Sequence, residues 1–174
     1  MALSISRLKI IRGHALGLMV LMLGVYAGPL YAATLDLEAT VVTGETSIDF
    51  GNLRSLAPNG DPAADSAVRQ VRLSVNSDLN RAYVITQIVQ DVPVNPNGTA
   101  LESEGLQFRV VVENGRGVVR TSDREPLRPG MQEIYLSDDN EAQTVLLVTY
   151  TLTPPPGQKA GRYHGTVTYR VDAR

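Results

Sequence analysis

Cysteine and tryptophan are both absent from the 174 residues. Without cysteine there are no disulfide staples, thiol nucleophiles, cysteine-based metal sites or lipidated N-terminal cysteine, so stability has to come from packing and backbone pairing. Histidine is almost as scarce, with only His14 and His164, too few for a His-rich zinc site. Lysine occurs only at Lys9 and Lys159 and the arginines are scattered. A nucleic-acid surface needs clustered cations to neutralise phosphates, so that class of partner is excluded. Aromatic residues make up 5% of the chain, which leaves little for a sugar-stacking platform. Nothing in the sequence calls for a cofactor or a metal.

What is present begins with an export signal. Arg7, Lys9 and Arg12 precede an apolar run over residues 15–27, followed by Gly28 and Pro29. A positive start, a short apolar core and a small-residue exit are the features that secretion machinery reads, and the run is short for a bilayer span. Cleavage is expected after Ala32, with Ala33 as the alternative, leaving no stable membrane span. The signal holds three of the sixteen basic residues and none of the eighteen acidic ones, so the remainder carries 13 against 18, a formal charge of −5. The expected organisation is a signal peptide over 1–32, an N-terminal arm or first strand over 33–44, and one β-sandwich domain over 45–174. Its location is expected to be the periplasm, the cell surface or a fimbrium.

Beyond residue 32 several segments alternate apolar and polar residues with period two, the pattern of strands with one face on a core, and none sustains a helical period. Leu35, Leu37, Ala39 and Val41 share the first such face. Ile48 and Phe50 form a shorter piece, and residues 56–65 read as a loop. Val71, Leu73 and Val75 follow, then the β-formers of 81–89. Leu106, Phe108, Val110 and Val112 make the cleanest alternation. Asn114-Gly115 after it reads as a hairpin turn returning through Val118 and Val119. Strands are further expected over 131–136 and 143–152, separated by the turn Ser137-Asp138-Asp139-Asn140, and a last one over 161–171. Only 63–70 could add a turn of helix. Eight or nine strands without a helix predict an all-β antiparallel sandwich.

The residues available for chemistry form no convincing catalytic set, and no enzyme activity is expected. His164 lies mid-strand, so it reads as a solvent-facing histidine rather than the base of a serine triad. Glu102, Glu104, Asp123 and Glu125 could supply a carboxylate pair but read as solvated loop acids. The cluster Asp138, Asp139, Asn140 and Glu141, like Asp61 and Asp65, could offer oxygen ligands to calcium. It lacks the ligand spacing and central glycine of a dedicated loop, so a β-turn is favoured. Asn97-Gly98-Thr99 matches a glycosylation sequon by letters alone.

The N-terminal strand permits a specific mechanism. Residues 34–42 follow the expected cleavage site and precede the Gly44 break, so they could detach without cutting any other connection. Such an arm can add itself to another molecule's sheet edge, with Leu35, Leu37, Ala39 and Val41 filling a groove. The alternative is that it is the first strand of its own sandwich.

Two segments carry a family resemblance. Ser47-Ile48-Asp49-Phe50-Gly51-Asn52-Leu53 after an alternating arm resembles the start of chaperone–usher pilins and spore-coat-U-type surface subunits. The closing segment, Ala160-Gly161-Arg162-Tyr163-His164-Gly165-Thr166-Val167-Thr168-Tyr169-Arg170-Val171, resembles the last strand of those families. The resemblance implies an incomplete immunoglobulin-like, pilin-like sandwich. It would be kept soluble by a periplasmic chaperone, delivered to an outer-membrane usher and joined to other pilin-like subunits or copies of itself by exchange of N-terminal arms. It makes Leu35, Leu37, Ala39 and Val41 the donor-strand side chains. Tyr163, Val167, Tyr169 and Val171 become the terminal strand bordering the acceptor groove. The rival expectation is a self-contained immunoglobulin-like binding module using loops 56–65 and 92–104, and a secreted hydrolase is a distant third.

Overall fold

The computed structural model describes residues 33–42 and 67–174, together with strand residues 4–5, 10–11 and 48–49. In chain order the strands are β1 (Ser4–Ile5), β2 (Ile10–Ile11), β3 (Leu35–Val41), β4 (Ile48–Asp49), β5 (Ala67–Ser77), β6 (Tyr83–Val89) and β7 (Leu106–Asn114). They continue with β8 (Val118–Val119), β9 (Glu125–Pro126), β10 (Gly130–Leu136), β11 (Gln143–Leu152), β12 (His164–Gly165) and β13 (Val167–Ala173). One five-stranded sheet runs β3-β5-β11-β7-β9 and a second runs β2-β13-β6-β10-β8, while β12-β1-β4 make a small third sheet. The protein is an all-β sandwich: the two large sheets are antiparallel apart from the two-residue parallel pairing of β2 on β13, and they share one hydrophobic core. Among the described residues no helix is long and apolar enough to cross a membrane.

The alternation read from the sequence sets which side chains reach that core. In β11 every second residue from Thr144 to Leu152 is buried. Its neighbours supply Val71, Leu73 and Val75 from β5 and Leu106, Phe108 and Val110 from β7. Each fully buried aliphatic side chain of this kind contributes about 1.5–3 kcal/mol. Strand β6 departs from the alternation because it lies mid-sheet between β13 and β10, and every residue except Ile88 is buried.

From β5 onward the strands of the two large sheets alternate between them: β5, β7, β9 and β11 in one, β6, β8, β10 and β13 in the other. Among the described residues no two consecutive strands pair as a hairpin. This corrects the reading of Asn114-Gly115, because Val118 and Val119 pair with Leu136 and Tyr135 of β10 in the opposite sheet. The chain crosses over at that point. Gly117 permits the crossing, since a Cβ there would lie 2.1 Å from the Leu136 carbonyl oxygen. Residues 67–70 extend β5 rather than forming a helical turn, because pairing with Thr149–Leu152 of β11 overrides their weak local preference. The last strand, expected over 161–171, is broken into β12 and β13 and runs on to Ala173. The loop over 56–65 lies outside the described residues, as does the motif over 47–53 except Ile48 and Asp49.

Candidate functional site

The arm and the terminal strand lie on one side of the sandwich. Strand β3 is the edge of its sheet and pairs antiparallel with β5 from Leu35 opposite Ser77 to Val41 opposite Val71. Thr34 and Asp78 hold one end of it through Thr34 N–H to Asp78 Oδ1 and Asp78 N–H to Thr34 O at 3.2 Å. At the other end Val42 N–H donates to Gln70 O at 3.0 Å. Leu35, Leu37 and Val41 are buried in the chain's own core, with Ala39 partly buried against it. On its other side β3 has no strand partner among the described residues. Across the core it packs on β13.

Strand β13 pairs along its whole length with β6, from Val167 opposite Val89 to Ala173 opposite Tyr83. Among the described residues its outer edge is paired only at Tyr169 and Arg170, by Ile10 and Ile11. Val167, Tyr169 and Val171 point into the core. The Tyr169 hydroxyl bonds the Tyr150 hydroxyl of β11, and Tyr150 donates to Gln87 Oε1 of β6 at 2.6 Å. Three strands from both sheets are thereby joined through the core. Burial pushes both phenols well above their ordinary value, as the phenolate could not be solvated there.

Tyr163 is also fully buried but belongs to the loop before β12 rather than to the terminal strand. Its hydroxyl donates to Lys159 O at 2.7 Å and accepts from Gln158 Nε2 at 2.6 Å. Gln158 in turn accepts from Glu102 N–H at 3.1 Å, tying the 92–104 loop to the 154–163 connector. Asn95 Oδ1 accepts from Asn97 N–H and Thr99 N–H, which closes the turn carrying the sequon-like letters. Neither Gln158 nor Asn95 has a periodic signal in the sequence that would mark it as buried.

The acids considered for chemistry are dispersed or already occupied. Glu141 is buried, and its carboxylate accepts from Thr144 Oγ1 at 2.8 Å, Arg116 N–H at 3.0 Å, Asp138 N–H at 3.0 Å and the Tyr135 hydroxyl at 2.9 Å. Burial alone would raise its pKa, but these donors outweigh it and hold the carboxyl below the ordinary carboxylate range. The group ties the turn at Asp138 to the crossing at Arg116. Glu125 is held by Ser122 N–H at 2.8 Å and by Gln132 Nε2. Glu102, Glu104 and Asp123 are exposed. The His164 side chain is exposed, while its backbone N–H and C=O bond Val94 at 2.9 and 3.1 Å. Among the described residues no group of three or more His, Asp or Glu side chains is placed to hold a metal ion.

No family model matches the chain, and no curated protein matches its sequence.

Proposed function

We propose that the protein is an exported, non-enzymatic structural subunit of a bacterial surface appendage or coat, an incomplete immunoglobulin-like sandwich joined to its neighbours by β-strand exchange. The observation that supports this most is the outer edge of β13. Among the described residues its only partners are Ile10 and Ile11, which fall within the segment read as an export signal. Removal of that segment leaves a seven-residue edge with unpaired backbone groups, a template for an added strand. The donor is β3 of another copy or companion subunit, bringing Leu35, Leu37, Ala39 and Val41. A periplasmic chaperone and an outer-membrane usher are the partners that handle such an edge before assembly.

The second reading is a self-contained immunoglobulin-like binding module. Its support is that β3 is already paired with β5, with three of its four inward side chains in its own core.

Size-exclusion chromatography and unheated SDS gels of protein from the native host separate the two, using the full chain and a chain lacking residues 33–44. Strand exchange gives a ladder that collapses on heating for the full chain and none for the shortened one. A synthetic peptide of residues 33–44 then binds the shortened chain and restores its thermal stability. Equally stable monomers from both forms refute strand exchange and leave the binding module.

A further inference from the structure

A second surface feature, independent of β3 and β13, lies on the outer face of the β3-β5-β11-β7-β9 sheet. Two adjacent rows of that face are fixed by strand register. Thr151 of β11 stands between Val68 of β5 and Gln107 of β7, and Thr149 stands between Gln70 and Arg109. Strand β9 pairs Pro126 with Gln107 and Glu125 with Phe108. One step further along the same antiparallel register, Arg124 comes level with Arg109. Val68, Gln107, Arg109, Arg124, Thr149 and Thr151 line one cleft of about 140 Å³.

Two like charges side by side on neighbouring strands repel and destabilise a sheet unless something lies between them. Neither arginine has an ion-pair partner among the described residues, and no acidic side chain lines the cleft. The acids of β7 and β9 are engaged elsewhere: Glu113 pairs with Arg72 at 2.8 Å and Glu125 is bound by Ser122 and Gln132. Val68 and Phe108 make one part of the lining apolar, and the rest is neutral and polar. Thr149 Oγ1 accepts from Gln70 Nε2 at 3.3 Å, which leaves its own O–H free to donate. Thr151 and Gln107 add a hydroxyl and an amide beside the guanidinium pair.

We infer that this cleft binds the carboxylate of an acidic sugar of the uronic-acid class. Guanidinium forks match a carboxylate bidentately, and the threonine hydroxyls and glutamine amide suit sugar hydroxyls. Drug-sized ligands need cavities of about 300–1,000 Å³, so a smaller cleft takes a single terminal residue of a chain whose remainder stays in solvent. Recognition by charge also accounts for how the site works without an exposed aromatic: every tyrosine beyond residue 32 is buried.

Backbone amide NMR shifts of the purified protein, titrated with sodium galacturonate, test this, with galactose and inorganic phosphate as comparators. Galacturonate produces saturable shifts centred on Arg109, Thr149 and Thr151 with a Kd of about 1–10 mM. Galactose produces none, and phosphate binds about tenfold more weakly. The paired change Arg109→Gln with Arg124→Gln weakens galacturonate about tenfold or more, while the lysine pair, which keeps the charge and loses the fork, weakens it several-fold. Shifts elsewhere in the spectrum report whether each variant is folded, and the three-ligand comparison on the unaltered protein decides the matter even if a variant is not. The assignment is overturned by no saturation with galacturonate, by galactose or phosphate binding equally well, or by folded glutamine variants that bind undiminished.

Discussion

Replacing Glu141 by glutamine tests whether one buried carboxylate holds the two sheets' connections in place. Its two oxygens receive four donors: Arg116 N–H, Asp138 N–H, Thr144 Oγ1 and the Tyr135 hydroxyl. A glutamine amide keeps one acceptor oxygen and sets an NH2 against the donors on the other side. If the NH2 takes the place of Oε2, Asp138 N–H loses its partner, a cost of about 1–3 kcal/mol for a shielded donor. The remaining hydrogen bonds also fall from the charged class towards the neutral one, adding about 1 kcal/mol. The expected loss is about 2–4 kcal/mol, or roughly 6–15 °C in Tm for a domain of this size. The pH dependence gives an independent check. The carboxyl sits below its ordinary value of 4.5 in the folded protein. Its contribution is therefore fully present above that ordinary value and lost as pH falls through the folded pKa. Thermal unfolding of both proteins from pH 7 down to pH 2.5 should show a wide gap at neutrality that narrows in acid. A loss under about 0.5 kcal/mol at pH 7 would refute the reasoning, since it lies within the range of ordinary surface substitutions. So would a gap that stays constant with pH.

Other expected outcomes concern the tyrosines and one glycine. Tyr150→Phe leaves both Gln87 Oε1 and the Tyr169 hydroxyl without their partner, whereas Tyr169→Phe removes one hydroxyl and spares the bond from Tyr150 to Gln87. Urea titration should show the first costing about 2–4 kcal/mol and the second about 1 kcal/mol. Burial raises Tyr83 to about 12 and lifts Tyr135, Tyr150 and Tyr169 as well, so their stabilising contribution is complete below pH 10 and lost as pH rises through the folded values. Phenolate absorbance followed at 295 nm should therefore appear for these four together with alkaline unfolding rather than before it. Gly117→Ala drives a Cβ into the Leu136 carbonyl and is expected to cost about 3 kcal/mol or more. Gly98→Ala meets no atom within 4 Å and is strained only by a φ of +75°, an effect of about 1 kcal/mol that a chemical melt would distinguish.

The strands with a strict period of two were legible in the sequence, and β11 carries the bounds read for it, Gln143–Leu152. Alternation reports which side of a strand is dry and nothing about which sheet it joins. For that reason Asn114-Gly115 looks like a hairpin turn while the chain crosses to the other sheet. The extension of β5 back to Ala67 was equally hidden, because Ala67–Gln70 acquire their conformation from β11, more than seventy residues later. At the candidate assembly site, the inward row of β3 was readable, as were the inward side chains of β13. Pairing of β3 with β5, rather than with some other edge, depends on long-range register and was not. Glu141 is the sharpest case. Four turn-type polar residues in a row suggest solvent or calcium, and only the fold reveals that the last of them turns inward to meet donors from three other segments. The Arg109 and Arg124 pairing was invisible for the same reason, as it exists only through the register of β7 with β9.

The alternation of strands between sheets bears on how the chain acquires its structure as it is made, N-terminus first. Strand β3 can pair early with β5, but β6 has only β10 and β13 for neighbours and β7 only β9 and β11, so neither finds a lasting neighbour until the final third of the polypeptide is available. Topologies dominated by distant pairings fold slowly and leave sticky intermediates exposed. With no hairpin among the described residues to seed the process, β6 and β7 wait as extended segments until their partners are available.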